Sequence, residues 1–190
     1  TDLLAKYEVS RSVFRQAVRL LEYNHIARMR PGPRSGLIIT EPDSAATRNT
    51  LSVYLEYKKV SVEHILEAMN ALELACVKLA AERIDADGVK KLREAIQKEH
   101  SMPADEIRGS TENNVHILLA ELTGNPALHL FVEVLTALSL MHAPKRITKK
   151  IMDHTHKAHE EVAEAVISGD IGMAMHNMRR HLDQLSETLC

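Results

Sequence analysis

The stretch HEEVAEAVISGDIGMAMHNMRRHL, residues 159–182, decides the fold. Apolar residues recur in it at three- and four-residue spacing on both sides of Ser168-Gly169-Asp170, which is the pattern of two amphipathic helices. Glycine is typical of the residue after a helix, and aspartate of the N-cap of the next one. The stretch therefore predicts two antiparallel helices joined by a tight turn.

Two histidines lie on the predicted buried faces of this helical hairpin. His159 shares its face with Val162 and Val166, and His181 shares its face with Met178. His159 precedes the turn by about ten residues and His181 follows it by about eleven, so at 1.5 Å per residue both lie roughly 16 Å from the turn. We expect the two imidazoles to meet inside the protein.

The helical pattern extends through most of the chain after residue 44. Helices are predicted at 45–58, 61–83, 87–100, 106–123, 127–142, 147–168 and 171–189. Ser61, Gly124-Asn125-Pro126 and Pro144 mark boundaries between them. We therefore predict a mainly α protein in which residues 42–190 form an all-α antiparallel bundle of six or seven helices.

Residues 1–41 differ from the bundle in charge and in pattern. The first 40 residues carry a net charge of +4 in a chain whose total is −2, so the rest of the chain is acidic at −6. Residues 2–7 predict a short helix, and Ser10 is placed to cap a second helix from Arg11 to about Tyr23. Residues 26–30 and 37–40 flank a turn-rich tip and predict a two-stranded hairpin.

The second short helix suits insertion into a DNA major groove. Its predicted buried stripe is Val13, Ala17, Leu20 and Leu21. Off that stripe, arginines recur at four-residue intervals: Arg11, Arg15 and Arg19. A helix N-terminus and guanidinium groups can meet phosphates and guanine edges there. The hairpin carries further basic residues that can reach the DNA backbone or minor groove, namely Arg28, Arg30 and Arg34.

This segment resembles the winged helix of the GntR transcription regulators. The resemblance is carried by Leu3-Leu4-Ala5-Lys6-Tyr7, Val9-Ser10-Arg11, Arg15, Ala17, Leu21-Glu22 and Arg30-Pro31-Gly32-Pro33. It implies DNA contacts from Ser10, Arg11, Ser12 and Arg15 in the recognition helix and from Arg30, Gly32 and Arg34 in the wing. The family's first helix is absent from these residues, so 1–41 is expected to be an incomplete winged helix-turn-helix domain.

A candidate metal site comes from the helical body. Glu112 and His116 are four residues apart on a predicted helix, a spacing that can offer a metal two ligands from one face. With His159 and His181 they form a set of one carboxylate and three imidazoles, which suits zinc, nickel, cobalt or manganese. The alternative for any single histidine is a hydrogen-bonded core residue, which we prefer for His64, His100, His129 and His142. A solvated cluster is expected for His154, His156 and His176.

The helical body resembles the FCD effector-binding domain of the FadR-like GntR subfamily. The resemblance is carried by Leu72-Glu73, Glu112-x-x-x-His116, Gly124-Asn125-Pro126, His159-Glu160 and Gly169-Asp170 through His181-Leu182. It implies a divalent metal ion held by Glu112, His116, His159 and His181, with a small carboxylate beside it. Met69 stands where the family often has an arginine that pairs with the effector. The effector-binding positions are therefore Met69 and, as the anchor, Arg146 or Lys145.

Together these features predict a ligand-responsive DNA-binding regulator and not an enzyme. Two-fold symmetry in a homodimer implies a palindromic operator in double-stranded DNA. Two cysteines form no disulfide framework, and no apolar run reaches the roughly 18–20 residues of a membrane span, so a cytoplasmic protein is expected. Two alternatives remain open. One is a metal-free helical sensor or dimerisation module, and the other, weaker one is a metal-dependent hydrolase, for which Glu160 points away from the ligands.

Overall fold

A computed structural model describes residues 2–32, 35–40, 44–101, 114–142 and 148–189. The chain divides into two compact units, Thr1–Val53 and Tyr54–Cys190. The boundary between these units falls within the residues of one helix, Ser44–Tyr57. None of the described helices is long and apolar enough to cross a membrane.

The first unit contains two short helices and a hairpin, as predicted. Helices α1 and α2 are Asp2–Lys6 and Arg11–Tyr23, and strands β1 and β2 are Ala27–Arg30 and Gly36–Ile39. Ser10 caps α2 by accepting a hydrogen bond from the backbone nitrogen of Val13 at 3.3 Å. The strands pair antiparallel, with Ala27 opposite Ile39 and Arg30 opposite Gly36.

The buried face of α2 differs from the predicted stripe. Val18 is buried and Phe14 and Leu21 are half-buried, whereas Val13 is 50% and Leu20 is 64% exposed. Apolar residues fall at three- and four-residue spacing on two adjacent faces of this helix, and Leu21 belongs to both. Periodicity therefore could not choose between them, and the prediction took the wrong face.

The second unit is helical. After α3, Ser44–Tyr57, come α4 Val62–Arg83, α5 Ala86–Ser101, α6 Val115–Leu122, α7 Pro126–His142, α8 Lys149–Ile167 and α9 Ile171–Leu189. Helix α4 packs against α6, α7, α8 and α9, and α8 packs against α5 and α9. The small sheet with a predominantly helical body confirms the predicted fold class.

Helix α4 is the centre of the bundle because it is apolar over most of its surface. Its buried residues include Met69, Cys76, Val77 and Ala80, each at most 1% exposed. A helix that is apolar on several sides is stable only when its neighbours surround it. Glu73, which is also 1% exposed, is the charged residue among the buried residues of this helix.

Two helix boundaries position the histidines. Gly169 has a φ of 72° in the turn between α8 and α9, and Asp170 Oδ1 accepts a hydrogen bond from the Met173 nitrogen at 2.9 Å, as the predicted turn requires. Asn114 is the extended N-cap of α6, with φ −72° and ψ 123°. The predicted helix 106–123 is therefore not continuous through Asn114: α6 begins at Val115, and residues 106–113 of the prediction lie outside the described residues.

Candidate metal centre

Three buried imidazoles meet inside the helical unit. His116 on α6, His159 on α8 and His181 on α9 are 6%, 4% and 3% exposed. The Nε2 atom of His159 lies 3.2 Å from that of His116 and 3.1 Å from that of His181, and the third pair is 3.3 Å apart. The predicted meeting of His159 and His181 is confirmed, and His116 joins them.

The spacing of these nitrogens fits a shared metal ion. An ion at about 2.0–2.1 Å from each nitrogen puts the nitrogens about 3.3–3.4 Å apart at tetrahedral angles and about 2.9 Å apart at right angles. The measured 3.1–3.3 Å lies between these values. Within the described residues, these three histidines are the group whose nitrogens lie close enough together to hold one metal ion.

Two carboxylates contact the outer nitrogens of two of the rings. Glu73 Oε2 forms a very short contact with His116 Nδ1. Glu99 on α5 places Oε1 and Oε2 at 2.8 and 2.9 Å from His159 Nδ1. A carboxylate can only accept here, so each Nδ1 carries a proton, and in the neutral form of either ring the lone pair lies on Nε2.

Burial and neighbouring charges act differently on the ionisable groups of the cluster. Burial opposes protonation of His116, but the Glu73 carboxylate outweighs it and the pKa of His116 is raised. Burial likewise opposes ionisation of Glu99, but the hydrogen bond from His159 lowers the pKa of Glu99 on balance. Burial, reinforced by the adjacent His159 and His116, holds the pKa of His181 well below its usual value. His181 is therefore neutral at pH 7.

A cavity of about 140 Å³ adjoins the three histidines. Its wall is mostly apolar and includes Met69, Leu140, Ile151 and Leu185. A cavity of roughly 150 Å³ holds a benzene-sized molecule, so the space suits a small metabolite. Met69, one of the predicted effector-binding positions, lines this cavity.

Two polar atoms in the cavity wall are buried without a hydrogen-bond partner among the described residues. They are Thr136 Oγ1 and His156 Nε2. The ring of His156 stacks on that of His100, with centroids 4.9 Å apart. His154 and His176 are exposed as expected, but His156 is half-buried and belongs to the cavity wall.

The remaining predicted site residues have mixed outcomes. Glu112 and Arg146 lie outside the described residues. The preference for core histidines was wrong for His64 and His100, which are exposed.

Sequence reasoning assigned no role to Glu73, Glu99 or Thr136. Glu73 carried a signal, since it is a lone carboxylate at a core position in the apolar run 71–77. Glu99 carried none, because it lies among polar residues on the last turns of α5.

The predicted DNA-contacting side chains of α2 lie at the surface. Arg11, Ser12 and Arg15 are exposed, and Ser10 and Ser12 share a hydrogen bond of 2.9 Å between their hydroxyls. On the hairpin, Arg30 and Gly32 are exposed, and Gly32 has a φ of 100°. Arg34 lies outside the described residues. The described side chains of the predicted DNA-contact set are thus exposed to solvent.

Comparison with known proteins identifies the family. The FCD domain family matches residues 64–184. The HTH-type transcriptional regulator LutR of Bacillus subtilis (strain 168) is 28% identical, over 98% of this chain and 88% of LutR. A second protein of that organism, the uncharacterized HTH-type transcriptional regulator YcbG, is 26% identical, over 95% of this chain and 75% of YcbG.

Solved structures share the fold. Streptococcus agalactiae GntR has a TM-score of 0.66 at 21% identity, over 97% of this chain and 85% of that one. E. coli McbR/YncC has a TM-score of 0.54 at 15% identity, over 95% and 86% of the two chains. Both Bacillus subtilis relatives are HTH-type transcriptional regulators by name. The chain therefore belongs to the GntR family of transcriptional regulators, in the FadR-like group that carries an FCD domain.

Proposed function

We propose that this regulator binds a divalent metal ion through His116, His159 and His181, and a small carboxylate beside the ion. The observation that carries the proposal is the convergence of three buried Nε2 atoms within 3.1–3.3 Å at the wall of a cavity. Lone pairs that face one another at this distance repel unless a cation or a proton lies between them. A bound dication supplies a positive centre that attracts a carboxylate oxygen of the effector.

Zinc or nickel is the expected ion, with cobalt or manganese as alternatives, because imidazole nitrogens suit zinc and nickel well. Glu112 is proposed as the fourth ligand from the resemblance to the FCD domain. Arg146 is proposed as an anchor for the effector, and Met69 supplies an apolar contact from the cavity wall.

The metal and effector are proposed to act on DNA binding through a homodimer. Two copies of α2 would read the two halves of a palindromic operator. Ser10, Arg11, Ser12 and Arg15 are the proposed contacts in the major groove, and Arg30, Gly32 and Arg34 those of the wing. An effector changes operator affinity only if it binds one conformation of the regulator better than the other.

Elemental analysis of the full chain tests the metal site. We expect protein purified without added metal, or stripped and reloaded with zinc or nickel, to hold about one ion per chain. His181→Ala should lose the ion, whereas His176→Ala, which changes an exposed histidine of the same helix, should retain it.

Absence of bound metal would contradict the proposed site. Wild-type protein that holds less than about a tenth of an equivalent, and whose melting temperature does not respond to added zinc or nickel, has no such site. The helical unit would then be a metal-free sensor or dimerisation module with a polar core.

A further inference from the structure

Two carboxylates lie behind the histidine cluster, on the side away from the Nε2 atoms. Glu73 comes from α4 and contacts Nδ1 of His116, and Glu99 comes from α5 and contacts Nδ1 of His159. Their side chains are 2% and 12% exposed. Neither helix carries one of the three converging imidazoles, so two further elements of the bundle take part in the site.

Each carboxylate restricts its imidazole to one arrangement. With the Nδ1 proton donated to the carboxylate, the lone pair of the ring lies on Nε2 and faces the centre of the cluster. The other tautomer would set the Nδ1 lone pair against carboxylate oxygens, and two acceptors in contact repel. Both oxygens of Glu99 accept from the one Nδ1–H of His159, at 2.8 and 2.9 Å, and this bifurcated contact also limits rotation of the ring.

The two carboxylates can also offset the positive charge of a metal dication. Three neutral imidazoles bring no charge, and an isolated ion of either sign is costly in a buried site. Glu73 and Glu99 supply one negative charge each, at a distance of one imidazole ring from the cluster centre. Glu73 Oε1 is moreover buried without a hydrogen-bond partner among the described residues. Hydrogen bonds within the core therefore do not by themselves account for a carboxylate at this position.

We propose that Glu73 and Glu99 are positioning residues of the metal site, which orient His116 and His159 as Nε2 ligands and offset the charge of the ion. The inference rests on the proposed metal binding by the three histidines. In a purely structural role, the same Glu–His pairs would stabilise the core but would not affect metal binding.

Metal titration of glutamine variants tests the inference. Glutamine keeps the size of the side chain and an acceptor oxygen but removes the charge. With metal-stripped full chain and Zn²⁺ alone as the probe, in competition with a chromogenic chelator, we expect Glu73→Gln and Glu99→Gln each to weaken affinity by about 10- to 100-fold. Matched controls are Glu67→Gln on α4 and Glu94→Gln on α5, both exposed, which should bind as wild type does.

A spectroscopic measurement separates positioning from stability. Co²⁺ bound to the two variants should give a changed visible absorption spectrum, because the coordination geometry depends on ring orientation, whereas the controls should match wild type. The thermal midpoint of the metal-free variants, compared with metal-free wild type, reports any structural loss. If Glu73→Gln does not fold, Glu99→Gln carries the test, because its side chain is closer to the surface.

The outcomes distinguish this inference from the proposed function. Wild type that binds Zn²⁺, with both glutamine variants unchanged in affinity and Co²⁺ spectrum, overturns the positioning role and leaves the metal site intact. Variants that lose thermal stability without metal but bind it as tightly as wild type also overturn it. Wild type that binds no Zn²⁺ refutes the metal site itself.

Discussion

One carboxylate and three imidazoles lie together in the core of the helical unit: Glu73, His116, His159 and His181. They are 1%, 6%, 4% and 3% exposed. A buried polar or charged group is costly unless it has a partner, and here the partners are largely one another. Because each residue satisfies a neighbour, replacing one leaves another buried and unsatisfied. We therefore expect effects of substitutions in this cluster to be non-additive.

Cys76 allows a test of burial beside this cluster. It is 1% exposed, and burial together with the Glu73 carboxylate raises its pKa from 9.0 to about 12. Since the thiolate is the reactive form, the native Cys190→Ser variant should react with a thiol reagent at pH 8 far more slowly than the unfolded protein does.

The same shift gives a pH dependence of stability. The folded state holds the Cys76 proton to higher pH than the unfolded state, so this contribution is full below pH 9 and is lost as the pH rises toward about 12. The labelling experiment has a clear contrary outcome. Rapid labelling of Cys76 in the native Cys190→Ser variant at pH 8 would show that the thiol is accessible and would contradict its burial.

Thr136→Val tests whether the cavity has an unfilled hydrogen-bonding position. The Thr136 hydroxyl is buried without a partner among the described residues. Its removal should leave the free energy of unfolding of the ligand-free protein unchanged or raise it by up to about 1 kcal/mol. In contrast, Ser139→Ala removes a 2.9 Å hydrogen bond to the Thr136 carbonyl and should cost about 0.5–1.5 kcal/mol. Urea denaturation measures both, and a larger loss in Thr136→Val than in Ser139→Ala contradicts the prediction.

At the scale of elements, the start of α6 determines where His116 lies. Asn114 Oδ1 accepts hydrogen bonds from the backbone nitrogens of His116 and Ile117, at 3.0 and 3.4 Å. Asn114→Ala should lower the free energy of unfolding by about 1 kcal/mol and also weaken metal binding, because the first turn of α6 carries a ligand. Ser61→Ala, at the N-cap of α4, should cost similar stability and leave metal affinity unchanged. Equal metal affinity in both variants would show that the cap does not act on the site.

Helix α2 is the element on which DNA binding depends in our proposal. Arg15→Ala should cost about 1–3 kcal/mol of binding free energy if Arg15 contacts guanine through two hydrogen bonds. The probe is a duplex selected from a random-sequence library by the wild-type full chain, measured at fixed salt. Arg179→Ala, an exposed position of α9, is the control. Wild-type affinity of Arg15→Ala for this duplex would remove Arg15 from the DNA contacts.

For the whole molecule, metal binding should appear as added stability of the helical unit. Free metal at about 100 times its dissociation constant raises the free energy of unfolding by about 2.7 kcal/mol. The corresponding rise in the thermal midpoint is about 5–10 °C for a unit of this size. Calorimetry of the full chain with zinc and with a chelator measures it, and His181→Ala should show no difference. An unchanged midpoint in wild type contradicts the prediction.

The sequence could predict the features that depend on neighbouring residues. The turn at Gly169 and the inward faces of His159 and His181 follow from helical spacing and local capping, and the structure confirms them. The Glu73–His116 and Glu99–His159 pairs join residues 43 and 60 positions apart. No local pattern encodes such pairs, because they depend on how α4 and α5 pack against the helices that carry the histidines.

The order in which the three imidazoles occur along the chain affects when the site can form. Its internal contacts span 22, 43 and 65 residues, and the last member, His181, lies in the final helix. A ribosome must therefore synthesise the chain as far as His181, the eleventh of the 19 residues of α9, before the third ligand is available. A truncated product that ends before α9 would thus contain the first two imidazoles but could not complete the triad.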